Sequence, residues 1–223
     1  MTRIHTVVLD MAGTTVQDRG LVIGAFTRAW ERAGAPERFD EAMAHVVATM
    51  GQSKIDVFRA LVDEDAAQAL NAAFEQAVIE LVGEGMVEAI PGAEEAIRAL
   101  QAQDRKVVLT TGFSRETVDL ILDTLGWQGL ADDTITPAEA GRGRPAPDMP
   151  LVALLRTGAP EVAALAVIGD TVADVETGRN AGAGVVAAVL TGGHVSEEAL
   201  RAVTDHVLGS VAELPALLES LGR

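Results

Sequence analysis

Apolar residues follow two rhythms along this chain. Val7, Val8 and Leu9 form a short continuous run that stops on Asp10. Runs of the same kind occur at 106–111 and 164–170, which end in polar residues, and at 184–190, which Thr191-Gly192 follows. Short apolar runs closed by turn residues predict buried strands of a mainly parallel sheet. The first strand and its turn are expected from residue 1 to residue 9, a short strand at 134–136 and a weak one near Val207. The intervening stretches have helical spacing. Residues 93–103 carry Ala96, Ile97 and Leu100 on one side, and 117–125, 149–157, 171–181 and 211–221 read as further helices, with Ser114 as the N-cap of the second. Alternation of this kind predicts an α/β fold, its sheet covered on both faces.

Residues 16–88 break the alternation. Ala25, Phe26, Ala29 and Trp30 fall at helical spacing until Gly34-Ala35-Pro36 stops them. A helix over 39–50 follows, with Met43, Val46 and Val47 as its expected buried stripe, and then helices at 54–62 and 66–82. No strand pattern occurs there, so 16–88 reads as a helical cap inserted after the first strand, with 1–15 and 89–223 forming the sheet domain.

At 223 residues and 48% hydrophobic content, the chain can bury a substantial core. It contains no cysteine, which excludes disulfides and thiolate catalysis, and it shows no basic-then-apolar leader and no apolar run long enough to span a bilayer. A cytoplasmic enzyme is the expectation. A formal net charge of −16 argues against nucleic acid or an anionic membrane as partner. A small anionic ligand remains open, provided that cations cluster locally.

They do cluster at the expected strand ends, where parallel sheets bind ligands. Those ends carry Asp10, Thr110 with Thr111, Arg142 with Arg144, and Asp170 with Asp174. After Asp10, Gly13 and two threonines predict a tight turn whose amides face an anion. Two carboxylates from different strands suit Mg²⁺, which prefers oxygen ligands. Thr111 is suited to hydrogen-bond a phosphoryl oxygen and Arg144 to neutralise another. Each residue has a plainer reading: Asp10 as a turn cap, Asp170 and Asp174 as helix caps, Arg144 on a solvated loop. All of them at successive strand tips favours a site.

This set resembles the haloacid dehalogenase superfamily, with Asp10 similar to its nucleophile, Thr111 to its second motif, Arg144 to its third and Gly169-Asp170-Thr171-Val172-Ala173-Asp174 to its acidic fourth. The resemblance covers nearly the whole chain. It implies a Rossmann-like core with a C1-type helical cap, attack by Asp10 on phosphorus, and hydrolysis of an aspartyl-phosphate. It also implies Mg²⁺ held by Asp10, Asp170 and the carbonyl of Ala12, with Asp174 supporting the site.

The departures narrow the resemblance. Phosphatases of the superfamily carry an acidic residue two positions after the nucleophile, and here that position is Ala12. Losing that acid removes a contribution of roughly 10²–10⁴ in rate for an ester. Ala12 with Arg144, and the run Met50-Gly51-Gln52-Ser53-Lys54-Ile55-Asp56, resemble the phosphonoacetaldehyde hydrolase (phosphonatase) branch. There a cap lysine condenses with an aldehyde, so that C–P cleavage expels an enamine and not a carbanion. The resemblance implies substrate contacts at Ala12, Gly13, Met50, Gly51, Gly112 and Phe113. Val57 and Phe113 stand where that branch has a histidine and a tyrosine. Phosphonatase-like chemistry on a small phosphonate is thus the leading expectation. A phosphatase for small phosphomonoesters of the phosphoglycolate type is the alternative, and a non-catalytic phosphate-binding protein is disfavoured by the intact set. The resemblance also implies a homodimer paired through the cap. The Phe26–Trp30 stripe is a candidate surface for it, and cap core is the plainer reading of that stripe.

Overall fold

A computed structural model describes residues 2–222; Met1, the expected start of the first strand and of the sheet domain, and Arg223, the expected end of that domain, lie outside the described residues. The first strand, β1 (Thr6–Asp10), leads into four helices, α1 (Leu21–Ala33), α2 (Phe39–Ala48), α3 (Lys54–Arg59) and α4 (Glu64–Gly83). Alternation then sets in with α5 (Ala93–Ala102), β2 (Lys106–Thr110), α6 (Arg115–Leu125), β3 (Asp133–Ile135), α7 (Pro137–Ala140) and α8 (Asp148–Thr157). It continues through β4 (Leu165–Gly169), α9 (Val172–Ala181), β5 (Val185–Val189), α10 (Glu197–Val203), β6 (His206–Leu208) and α11 (Leu214–Ser220).

The six strands form one sheet in the order β3-β2-β1-β4-β5-β6, and every pairing is parallel. Period two along each strand sends successive side chains to opposite faces. Val7 and Leu9 of β1 join Val107, Leu109, Ala166 and Ile168 in a core that includes Ile97 and Leu100 of α5 and Leu214 and Leu218 of α11. Val8, Val108 and Val167 face the other way, against Met149 and Ala153 of α8. Both faces are covered, as the alternation predicts. The register aligns Asp10 with Thr110 and Leu9 with Ile168, so β1, β2 and β4 end at one level.

The helices between β1 and α5 have their own aromatic interior. Phe26 stacks on Trp30 at 5.5 Å and on Phe58 at 5.8 Å; Phe74 meets Phe58 at 6.1 Å and Phe113, from the loop after β2, at 6.3 Å. Phe26 and Trp30 are each 1% exposed, so this stripe is interior and offers no pairing surface. Two antiparallel connectors join the helices to the sheet, Gln17 N donating to Glu88 O at 2.8 Å and Ile90 N to Thr15 O at 2.9 Å. A second tie comes from Glu75 of α4, which accepts from the hydroxyls of Ser114 (2.7 Å) and Thr117 at the start of α6. Among the described residues no helix is long and apolar enough to cross a membrane.

Several local expectations shift. Val47 is 49% exposed, and Ala42 and Val46 are the buried residues of α2. The helix expected at 66–82 starts at Glu64 because the Asp63 side chain caps it, accepting from Ala66 N. The helix expected to reach residue 62 stops at Arg59, and Thr136 leaves β3 to cap α7. Helix α10, capped by Ser196, has no counterpart in the sequence reading.

Candidate active site

Asp10 ends β1 and Asp170 follows β4, so the sheet places two carboxylates on adjacent strand tips. Thr171 and Asp174 then start α9 with a reciprocal cap: Asp174 Oδ2 accepts from Thr171 N at 3.0 Å and from its hydroxyl at 2.5 Å. Asp174 is therefore both a helix cap and a site residue, whereas Asp170 is not used as a cap. Ligand oxygens of Asp10, Asp170 and Asp174 lie within 4.8 Å of one another, and all three residues are buried.

Arg144 answers this charge from the loop after α7. Its Nε donates to Asp174 Oδ1 at 2.8 Å and its Nη2 to Asp10 Oδ1 and Thr110 Oγ1, while Nη1 donates to the Gly51 carbonyl at 3.0 Å. A guanidinium alone can spread five donors in a plane across four such partners. Arg142, two residues earlier, lies outside the site; its side chain is 71% exposed and pairs with Asp148.

One guanidinium does not neutralise three buried carboxylates. Burial pushes the Asp10 carboxyl up to about 7, with Asp174 adding to the rise and Arg144 opposing it. Asp170 is raised well above the carboxylate range by burial and then by Asp10 and Asp174. Such a deficit of positive charge among oxygen donors fits a hard divalent cation, and Mg²⁺ is the small member of that class.

A cavity of about 20 Å³ opens on these groups. Of the residues expected in the site, Asp10, Ala12, Met50, Gly51, Lys54, Thr111, Gly112, Phe113, Arg144 and Asp170 line it. Gly13 lies just behind: with φ at +87° and a notional Cβ 2.5 Å from Asp170 Oδ2, it permits neither strain-free substitution nor a side chain. The turn at Gly13 departs from expectation. Its amides are used internally, Gly13 N bonding to Val16 O and Thr14 N and Thr15 N to Met11 O, so they do not face an anion. Thr111 is buried, with its Oγ1 accepting from Phe113 N at 3.3 Å.

Lys54 reaches this cavity from the first turn of α3. Its Nζ lies 3.5 Å from Gln52 O and 5.8 Å from the Phe113 ring centre. Burial, and then the Arg144 guanidinium, push the ammonium down to about 8, against the opposing pull of Asp10, Asp18 and Asp170. Gly51 makes the approach of this segment to the sheet possible, since a Cβ there would sit 2.7 Å from Thr171 Oγ1. Val57, one turn along α3, is buried in an apolar hollow with Val22, Phe26, Val46 and Phe74 and adds no polar group.

Two polar lining residues escape the sequence reading, Asp18 and His194, as does the apolar Val22 of α1; the polar two bear on the chemistry. Asp18 and His194 belong to loops, and His194 follows β5 in the run Thr191-Gly192-Gly193-His194. Its place beyond a strand tip is the signal that could have marked it.

The family model for haloacid dehalogenase-like hydrolases matches residues 4–182. The phosphonoacetaldehyde hydrolase of Bacillus cereus is 30% identical over 208 residues, covering 84% of this chain and 76% of that protein. Identity is also 30% to the bifunctional phosphonoacetaldehyde hydrolase/aminoethylphosphonate transaminase of Clostridioides difficile, of whose length the match covers 32%. Among solved structures, a phosphonoacetaldehyde hydrolase-like protein from Oleispira antarctica superposes with a TM-score of 0.80 at 22% identity, covering 100% of this chain and 94% of that one. That likeness speaks for the fold alone.

Proposed function

The chain belongs to the haloacid dehalogenase-like hydrolase family, and from that premise we propose that it cleaves the C–P bond of phosphonoacetaldehyde, or of a closely related small phosphonate, through a Schiff base on Lys54. One observation carries this reading. Lys54, its ammonium pushed down to about 8, shares a small cavity with Asp10, and Ala12 supplies no acid there.

The chemistry follows from the leaving group. Neutral Nζ adds to the aldehyde carbon, and loss of water gives an iminium ion one carbon from phosphorus. Asp10 then attacks phosphorus; the C–P bonding pair moves into a C=C bond and the iminium π pair returns to nitrogen as an enamine. Protonation at carbon and hydrolysis of the imine release acetaldehyde. Water attacks the aspartyl-phosphate and releases phosphate, so one water is consumed overall. Thr111 and Arg144 hold the phosphonate oxygens, and Met50, Gly51, Gly112 and Phe113 bound the aldehyde end.

The acidic triad is suited to Mg²⁺, with Asp10, Asp170 and the Ala12 carbonyl as its holders and Asp174 fixing Arg144. When bound, the cation supplies electrostatic relief between Asp10 and the anionic phosphonate. Residues 16–88 act as a cap over the core formed by 1–15 and 89–223. A space of about 20 Å³ holds about one water molecule, so this cavity widens to admit substrate.

The test is release of phosphate and acetaldehyde from phosphonoacetaldehyde with Mg²⁺, compared between the wild type and Lys54→Arg. Stoichiometric release lost in the variant supports the reading. A second reading, hydrolysis of small phosphomonoesters, draws on Val57 and Phe113 leaving two proton-handling positions empty; turnover of esters that survives Lys54→Arg, with no phosphonate cleavage, favours it.

A further inference from the structure

We infer that His194, oriented by Asp18, is the proton-transfer group of this site. This inference rests on the Schiff-base reading and names a residue which that reading leaves open.

Imine chemistry requires protons to move at the aldehyde oxygen and at the carbon released from phosphorus. Val57 and Phe113 cannot move them, Ala12 has no acid, and Lys54 is the electrophile's partner. His194 lines the same cavity as Lys54 and Asp10. Its position is built. Thr191 Oγ1 donates to Gly13 O at 2.6 Å, and Gly192 lies against Gly13 and Asp170, so the loop after β5 is clamped to the turn that follows Asp10. Beyond that clamp, His194 Nε2 sits 3.2 Å from Asp18 Oδ2, and the Asp18 side chain is only 3% exposed. A buried carboxylate bonded to one ring nitrogen fixes the ring and leaves the other nitrogen to exchange protons, the arrangement that makes a histidine an oriented acid and base. Asp18 lines the cavity with Lys54 as well, and its charge opposes the fall of that ammonium.

The proton ledger then closes. After Nζ adds to the carbonyl carbon, the imidazolium protonates the alkoxide and the imidazole takes a proton from nitrogen. The imidazolium next protonates the hydroxyl, which leaves as water with the C–O bonding pair. Reprotonated from solvent, the ring gives one proton to the enamine carbon as the nitrogen lone pair re-forms the iminium. Neutral imidazole then removes a proton from the water that adds to the iminium carbon, and the imidazolium so formed protonates the carbinolamine nitrogen. The C–N bond finally breaks as the imidazole takes the hydroxyl proton, which frees acetaldehyde and neutral Lys54 and leaves the ring as imidazolium.

The experiment compares the wild type with His194→Ala, His194→Gln and Asp18→Asn on phosphonoacetaldehyde with Mg²⁺, with and without added imidazole. His194→Gln can still donate to Asp18, so it separates proton transfer from loop structure. The inference expects both His194 variants to lose about 10²-fold or more in kcat, KM to stay within a fewfold, and imidazole to restore part of the His194→Ala loss. Asp18→Asn should lose less than His194→Ala. Wild-type kcat in His194→Gln, or a loss in His194→Ala that imidazole leaves untouched, overturns the role of His194 alone. An inactive wild type overturns the Schiff-base reading and this inference with it.

Discussion

Arg144 Nη1 donates to the carbonyl of Gly51 at 3.0 Å while the same guanidinium holds Asp10 and Asp174. One side chain thus joins the helical segment to the carboxylates of the sheet. Removing one partner of a buried ion pair typically costs about 3–5 kcal/mol, because the other charges stay buried. Arg144→Met should therefore lose about 3 kcal/mol or more in urea denaturation without Mg²⁺, and it should lose turnover. A loss under about 1 kcal/mol would mean that the triad is neutralised by something else.

Lys54 makes a prediction about pH. Its ammonium is pushed down to about 8, and only the neutral amine condenses with a carbonyl. The neutral fraction falls as pH drops below that value, so the rate of reductive trapping with acetaldehyde should rise about tenfold per pH unit up to roughly pH 8 and then level off. A profile still climbing towards pH 10 would mark an ordinary solvated lysine.

Much of this was readable in the chain, for identifiable reasons. The parallel sheet is local information: Val7-Val8-Leu9-Asp10 and its counterparts are buried runs that end abruptly, and their ends converge once the strands pair. Val47 departs from its expected place because the buried side of an amphipathic helix depends on its neighbour, and α2 buries Ala42 with the expected Val46. The amides of Gly13, Thr14 and Thr15 depart from expectation because the turn bonds to itself, which residue identity does not reveal. Asp18 and His194 lie 176 residues apart, and only the folded clamp through Thr191 and Gly13 brings them to one cavity. Phe26 and Trp30 fit both a surface stripe and an interior until Phe58 is seen stacked on Phe26, with Phe74 against Phe58.

Ala12 offers a gain-of-function test. Ala12 lines the cavity with Asp10, where a carboxylic acid could protonate a departing alkoxide. Ala12→Asp should raise turnover of alkyl phosphomonoesters by about 10²-fold. It should change p-nitrophenyl phosphate far less, because that leaving group needs little protonation. Equal effects on both substrates would argue against an acid role at this position.

The charge deficit of the triad predicts metal-linked stability. At Mg²⁺ about 100 times its dissociation constant, binding adds about 2.7 kcal/mol, a rise in Tm of roughly 5–10 °C for a chain of this size. Asp170→Asn should lose most of that rise. If calorimetry gives the same Tm in Mg²⁺ and in EDTA, the triad does not serve as a divalent-cation site.

Trapping the covalent adduct addresses the central claim most directly. The protein is mixed with phosphonoacetaldehyde and Mg²⁺, reduced with borohydride, digested and mapped by mass spectrometry. The account predicts substrate-dependent inactivation with a two-carbon adduct on Lys54, formed alongside phosphate release. Phosphate release with an unlabelled Lys54 and undiminished activity after borohydride would contradict it, leaving Asp10 as nucleophile and removing the imine from the mechanism.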